Sequence, residues 1–188
     1  KSVHLIMLED PVEYEFISGK ALIHQREKER DFLKFSDGIR AALREDPDII
    51  VVGEMRDSET MRAALLAAET GHLVLATMHS SRAVEAISRV VHAFSADEQD
   101  EIRMVLSSVL RSISAQLFYK REGESILLRE ILMMTPAIAR LIRDGRDEQI
   151  RSYMGLSQGS MRTIESRARA ISRTWEEKEK QKLAIFLK

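Results

Sequence analysis

The chain has 188 residues, enough for one domain with room for a small addition. Its 29 Lys and Arg residues nearly balance its 30 Asp and Glu residues, and the formal net charge of −1 argues against a protein that coats nucleic acid. The lack of cysteine excludes disulfides, a thiolate nucleophile and Cys-ligated metal sites, and no apolar run approaches the roughly 20 residues of a membrane-spanning helix. We therefore expect a soluble, cytoplasmic protein that does not bind nucleic acid.

Three short apolar runs predict β-strands, and they occupy residues 3–8, 48–53 and 73–78. Each run is apolar throughout instead of alternating with polar residues. This pattern is typical of parallel strands that are buried between two layers of helices.

Two helices are predicted between these strands. Ser36 is expected to cap the first, which ends before Pro47, and Asp57 is expected to cap the second, which ends at Gly71. The alternation of strand and helix predicts an α/β fold.

After His79 the pattern changes to helices followed by a hairpin. The predicted elements are helices near residues 83–94 and 97–114, strands around 115–119 and 125–133, and a helical region that begins at Pro136. Mixed charges in residues 175–188 predict a solvated helix there.

Polar side chains follow each of the three predicted strands. They are Glu9, Asp10 and Glu13 after the first strand, Glu54 and Asp57 after the second, and His79, Ser80 and Ser81 after the third. Parallel strands present their carboxyl ends at one edge, where ligands bind. Carboxylates and an imidazole gathered at that edge indicate metal-assisted phosphate chemistry.

Structural explanations also exist for some of these residues. Turn formation or helix capping accounts equally well for Asp10 and Asp57, and a turn position accounts for His72. Glu54 is different, because a carboxylate directly behind an apolar strand needs a compensating partner.

The same residues form ordered motifs. They are Glu9-Asp10-Pro11-Val12-Glu13-Tyr14, Gln25-Arg26-Glu27, Leu43-Arg44-Glu45-Asp46-Pro47 running on to Gly53-Glu54-Met55-Arg56-Asp57, Ala67-Ala68-Glu69-Thr70-Gly71-His72, and Thr77-Met78-His79-Ser80. From about residue 3 to residue 163 this pattern resembles the secretion ATPase superfamily, and within it the PilT-like retraction ATPases of type IV pili.

The resemblance implies a RecA-like, mostly parallel sheet with flanking helices over residues 1–135, followed by a small C-terminal helical region and tail over 136–188. It also implies an ATPase that depends on ATP and Mg²⁺ and powers pilus retraction in twitching motility. The expected partners are five further copies in a homo-hexamer and a pilus platform protein of the inner membrane. The motor would lie at the cytoplasmic face of that membrane, associated with it only through partners.

Site roles follow from the resemblance residue by residue. It implies that Glu13 polarises the attacking water, that Glu54 acts near Mg²⁺ and the γ-phosphate, and that His79 senses the nucleotide. The residues it assigns to nucleotide binding are Glu9, Asp10, Arg26, Arg30, Gly53 and His72.

Two features depart from the family or divide its members. The phosphate-binding loop G-x-x-x-x-G-K-[ST] is absent, so we expect the chain to be a C-terminal segment that is inactive alone. Without cysteine the chain cannot build the zinc element usual in the related extension motors. Residues 137–143 instead resemble the short signature of the retraction motors, with Ala139 where that signature usually has Arg.

Two alternatives stay open. A chain without the phosphate-binding loop can serve as a non-catalytic assembly or regulatory module of a motor ring. A metallohydrolase that uses His72 and His79 is weaker, because their seven-residue separation spans a predicted strand and no further ligand joins them.

Overall fold

A computed structural model of the chain describes residues 2–156 and 161–187. In chain order its elements are β1 (His4–Glu9), β2 (Leu22–Glu27), α1 (Phe35–Ala42), β3 (Ile49–Val52), α2 (Ser58–Glu69), β4 (Leu73–Ala76), α3 (Ala83–His92), α4 (Gln99–Val109), β5 (Ser112–Arg121), β6 (Glu124–Met133), α5 (Pro136–Arg143), α6 (Asp147–Leu156), α7 (Ile164–Ile171) and α8 (Glu177–Phe186). None of the helices in this part of the chain is both long and apolar enough to cross a membrane.

Internal contacts divide the chain into two compact units. The first comprises the described residues up to His79 together with His92–Val109. The second comprises Ser80–Val91 and the described residues from Leu110 onward. The boundary between residues 135 and 136 that the family resemblance implies stays a prediction.

A four-stranded parallel sheet in the order β2-β1-β3-β4 forms the framework of the first unit. The three strands predicted from apolar runs are confirmed as β1, β3 and β4, and so is the α/β fold with its parallel sheet and flanking helices. The edge strand β2 carries the polar residues His24, Gln25 and Arg26 and is an addition to the predicted elements.

Helices α1 and α2 pack against the same face of this sheet. The fully buried residues of that face are Ile6, Leu8, Ile50 and Val52. Burying one such side chain stabilises the fold by about 1.5–3 kcal/mol. The intervening residues Met7 and Val51, on the opposite face, are only half-buried. Full burial on both faces was predicted, and the structure has it on one face only.

The predicted helix starts have different outcomes. Asp57 caps α2 as predicted, because its carboxylate accepts a hydrogen bond from Thr60 N at 2.8 Å. The prediction of Ser36 as a cap is wrong: α1 begins at Phe35, after the extended Lys34, and Ser36 is buried inside the helix. Gly71 follows α2 with a φ of 100°, as expected for a glycine that ends a helix.

The β5–β6 hairpin forms the framework of the second unit. Its turn residues Glu122 and Gly123 both have positive φ, at 48° and 88°, which suits a two-residue turn between twisted strands. The preceding helix α4 ends at Val109, so the prediction that it continues to Ser114 is wrong. From Ser112 the chain already pairs with β6.

Helices α7 and α8 pack on this hairpin. Leu128 of β6 and Ile164 of α7 are fully buried in the core that these elements share, and Leu183 of α8 is 3% exposed. Tyr119 of β5 stacks on Trp175, with 6.1 Å between the ring centroids. The predicted tail helix therefore exists, but Leu183 and Trp175 fix it to the hairpin and it is not simply solvated.

A buried carboxylate joins two helix starts to the hairpin. Glu130 of β6 accepts hydrogen bonds from Ala83 N at 2.8 Å and from Ile164 N at 3.3 Å. Arg82 lies 3.7 Å from the same carboxylate. Helix N-termini and a guanidinium stabilise a buried negative charge, so Glu130 anchors α3 and α7 within this unit.

Candidate functional site

The carboxyl ends of the four parallel strands form one edge of the sheet. Leu8 pairs with Val52, Val52 pairs with Ala76, and Glu9 pairs with Glu27, so the strands end at similar heights. The residues that follow the strands along this edge are Asp10, Lys28, Glu54 and His79. The convergence of carboxylates and an imidazole at one sheet edge is therefore confirmed.

Glu54 lies directly behind β3 with only 17% of its side chain exposed. Arg56 Nε is 2.6 Å from Glu54 Oε1, and His79 Nε2 is 3.9 Å from Glu54 Oε2. The guanidinium supplies the compensating charge that a half-buried carboxylate requires. Two of the residues assigned catalytic roles thus lie side by side, with one Glu54 oxygen held by a cation and the other beside an imidazole.

Gly53 allows Glu54 to occupy this position. Its backbone N–H donates to Leu8 O at 2.7 Å, and a Cβ at position 53 would lie 2.9 Å from that same oxygen and 3.3 Å from Glu9 Cα. The hydroxyl of Thr77 donates to Gly53 O, and Met55 N donates to Thr77 O at 2.9 Å. The backbone that carries Glu54 is therefore fixed between the ends of β1 and β4.

Two cations and two carboxylates of the site form two ion pairs, Lys28 with Asp10 and Arg56 with Glu54. Lys28 Nζ lies 2.8 Å from Asp10 Oδ2, and this hydrogen bond raises the pKa of Lys28. The hydrogen bond to Glu54 raises the pKa of Arg56, with a smaller contribution from Asp10. Both cations are therefore charged at neutral pH, and the four side chains balance one another.

Glu13 lies on the exposed loop between β1 and β2, and Gln25 fixes this loop on both sides of it. Gln25 Nε2 donates to Tyr14 O at 2.8 Å and to Glu9 Oε1 at 2.7 Å, while Gln25 Oε1 accepts from Phe16 N at 2.7 Å. One amide on β2 thus links the end of β1 to the segment that carries Glu13.

The two arginines assigned to nucleotide binding have carboxylate partners. Arg26 Nη2 donates to both carboxylate oxygens of Glu45 at 2.7 Å. Arg30 lies on the exposed turn after β2 and pairs with Asp31 at 3.0 Å. Neither contact involves Glu54 or His79, and the nucleotide-binding roles of both arginines stay predictions.

His72 lies at the amino end of β4, whereas His79 follows its carboxyl end. The ring Nδ1 of His72 lies 3.0 Å from Ala67 O and 3.2 Å from Thr70 Oγ1, which are contacts of a histidine that closes the α2–β4 turn. The structure therefore does not bring His72 together with Glu54 and His79. This placement also counts against the metallohydrolase alternative, which requires both histidines at one ion.

Sequence reasoning missed Arg56, Lys28 and Gln25 as parts of the site. Arg56 stands two positions after Glu54, and the requirement for a partner to Glu54 could have pointed to it. Gln25 lies in β2 and Lys28 directly follows it. Neither could be assigned to the site without first predicting that strand.

Whether the site fits a metal ion depends on which side chains it brings together. Over residues 2–156 and 161–187 no group of three or more His, Cys, Asp or Glu side chains is arranged to hold a metal ion. Mg²⁺ commonly binds through one or two carboxylates together with substrate phosphates and water, and Glu54 offers a carboxylate of this kind.

Comparison with known proteins gives consistent results. Residues 1–126 match the family described as Type II/IV secretion system protein. The type IV pilus retraction ATPase PilT of Pseudomonas aeruginosa is 49% identical over 150 residues, which are 79% of this chain and 44% of that protein. A protein of Escherichia coli K12 named YggR is 50% identical over 149 residues, 78% of this chain and 45% of its own length.

Among solved structures, the pilus retraction motor PilT with bound ADP superposes with a TM-score of 0.85 at 42% identity. The match covers 93% of this chain and 50% of that one. The chain thus spans about half the length of the relatives it matches.

Proposed function

The chain belongs to the family of type II/IV secretion system proteins, and on that premise we propose that it forms part of an ATPase that powers retraction of type IV pili. The observation that carries the proposal is the half-buried Glu54, set between Arg56 and His79 at the carboxyl edge of a parallel sheet. Its supports are the similarity to PilT and the ADP held by the similar solved structure.

In this proposal Glu13 and Glu54 share the chemistry of hydrolysis. Glu13, on a loop held by Gln25, polarises the attacking water, and Glu54 acts beside the γ-phosphate. His79, next to Glu54, senses the phosphate end of the nucleotide.

Glu54 is also the residue that would hold Mg²⁺ together with the nucleotide phosphates, directly or through water. Bound Mg²⁺ supplies charge neutralisation on the transferring phosphoryl group. Asp10 and Glu9 contribute negative charge at the same edge, and the resemblance assigns both to the nucleotide site.

The phosphate-binding loop lies outside the 188 residues in this proposal. That loop donates backbone N–H groups and a lysine to the phosphates, so the 188-residue chain alone should bind ATP weakly and release no phosphate. In the whole protein, we propose a homo-hexameric ring that acts with a pilus platform protein at the cytoplasmic face of the inner membrane.

The test compares ATP binding and phosphate release by the purified whole protein, its variants and the 188-residue chain. Glu54→Gln and Glu13→Gln should each abolish phosphate release without weakening nucleotide binding, because an amide keeps the shape of the side chain but cannot act on water or share charge with an ion. Glu101→Gln, on an exposed residue in the first turn of α4 and outside the quoted motifs, is the matched control and should hydrolyse ATP normally.

Two results would contradict the proposal. Hydrolysis near the unaltered rate in either variant removes the role of that residue. Binding without turnover by the unaltered whole protein favours the non-catalytic ring module instead.

A further inference from the structure

The Glu54–Arg56 ion pair raises a chemical difficulty for the proposed reaction. Oε1 of Glu54 is held by Arg56 at 2.6 Å, so this cation occupies one of the lone pairs that the oxygen could offer to water or to an ion. The role proposed for Glu54, beside the γ-phosphate and Mg²⁺, needs a carboxylate whose charge is not already neutralised by a protein cation. The arrangement in the structure therefore restrains Glu54.

Arg56 has the exposure needed to leave this pair. Its side chain is 71% exposed, whereas Glu54 is 17% exposed and held in place by its backbone. The backbone on both sides of Arg56 is fixed, since Met55 N donates to Thr77 O and Asp57 caps α2. Within this pair, the arginine side chain has more room to move than Glu54.

The other cation of the site is less suited to such a change. Lys28 and its partner Asp10 are each 31% exposed and lie 2.8 Å apart. A lysine also offers a point charge, whereas the planar guanidinium of Arg56 can bind two phosphate oxygens at once. A polyphosphate that binds at this edge therefore competes for Arg56 against Glu54 more effectively than it competes for Lys28 against Asp10.

We propose that Arg56 is a phosphate-recognition residue that exchanges partners: it leaves the ion pair with Glu54 and binds phosphate oxygens of ATP when nucleotide enters. The exchange releases Glu54 Oε1 only when phosphate is present, so the carboxylate becomes active in response to its substrate. This inference rests on the function proposed above and adds the device that couples nucleotide binding to the release of Glu54.

A double-mutant cycle on the whole protein tests the exchange. The four proteins are the unaltered protein, Glu54→Gln, Arg56→Ala and the double variant, and the probe is the non-hydrolysable analogue β,γ-imido-ATP with Mg²⁺, titrated by calorimetry. Glu54→Gln frees Arg56 in advance and should tighten binding by about fivefold, whereas the same change in the Arg56→Ala background should alter it by about twofold or less. Arg56→Ala alone should weaken binding.

The matched control is the exposed ion pair between Asp37 and Arg40 of α1, whose charged atoms lie 3.0 Å apart. Asp37→Asn, Arg40→Ala and their double variant should leave the affinity unchanged.

An equal effect of Glu54→Gln in both backgrounds would overturn the exchange, because removal of negative charge alone would then explain it. Unaltered affinity in Arg56→Ala would also overturn it. Failure of the proposed function is a separate result, seen when the unaltered protein binds the analogue but releases no phosphate from ATP.

Discussion

At the scale of single residues, Gly53 shows how a backbone contact controls the position of a functional side chain. Its N–H donates to Leu8 O at 2.7 Å, which places the start of the Glu54 segment directly against the end of β1. A side chain at position 53 has no space, because the nearest atoms belong to backbone and cannot rotate away.

Gly53→Ala should therefore destabilise the protein and reduce ATP turnover together. The added Cβ would lie 2.9 Å from Leu8 O, so β1 and β3 must shift apart, at a cost of about 1–3 kcal/mol. Urea denaturation should show a lower midpoint for this variant. Gly19→Ala is the control, because nothing lies within 4 Å of the added carbon, and an unchanged midpoint in both variants would contradict the packing argument.

The sequence was sufficient to place Glu54 and His79 at one edge, because each follows within three residues of the end of a strand of a parallel sheet. The sequence could not show the partner of Glu54, since the Arg56 contact depends on side-chain conformation as well as spacing. The strand predicted between His72 and His79 already separated these two histidines, and they lie at opposite ends of β4.

At the scale of elements, apolar runs identified the inner strands and missed the edge strand. β2 lies at the edge of the sheet, pairs with β1 and is partly exposed, so it tolerates His24, Gln25 and Arg26 and lacks an apolar signal. The end of α4 was misjudged for a related reason. Ile113 fits the helical spacing of the preceding apolar residues, but it alternates with Ser112 and Ser114 and belongs to β5.

Helix α5 combines a buried stripe with exposed cations. Thr135 caps it by accepting a hydrogen bond from Ile138 N at 3.3 Å, and Pro136 occupies its first turn. Ile138 and Ile142 are fully buried, whereas Arg140 is 79% exposed and lies 3.6 Å from Asp144. The helix can therefore pack through one face and present Arg140 and Arg143 on the other.

Replacing Arg140 and Arg143 with alanine in the whole protein should leave folding and ATP turnover intact and abolish twitching motility. Exposed charges contribute about 0–1 kcal/mol to stability, so a loss of motility would report coupling to the pilus machinery.

Ile138→Asp is the comparison, since a charge forced into the buried stripe should destabilise the protein itself. Normal motility in the double arginine variant would leave α5 with a packing role only.

At the scale of the whole molecule, the ordered family motifs predicted more about function than hydrophobic patterns and residue types did. Strand ends and residue types indicated phosphate chemistry, but only the ordered motifs pointed to a pilus motor. The tail shows the opposite case: the pattern fades there, and packing of Trp175 and Leu183 on the hairpin had no signal in a sequence dominated by charge.

The central claim is that the Glu54 site drives retraction, and imaging of labelled pili on living cells tests it most directly. Cells whose only copy of the whole protein carries Glu54→Gln, at normal abundance, should extend pili at the usual frequency and fail to retract them. Retraction at the unaltered frequency, or loss of pili altogether as expected for an extension motor, would contradict the account.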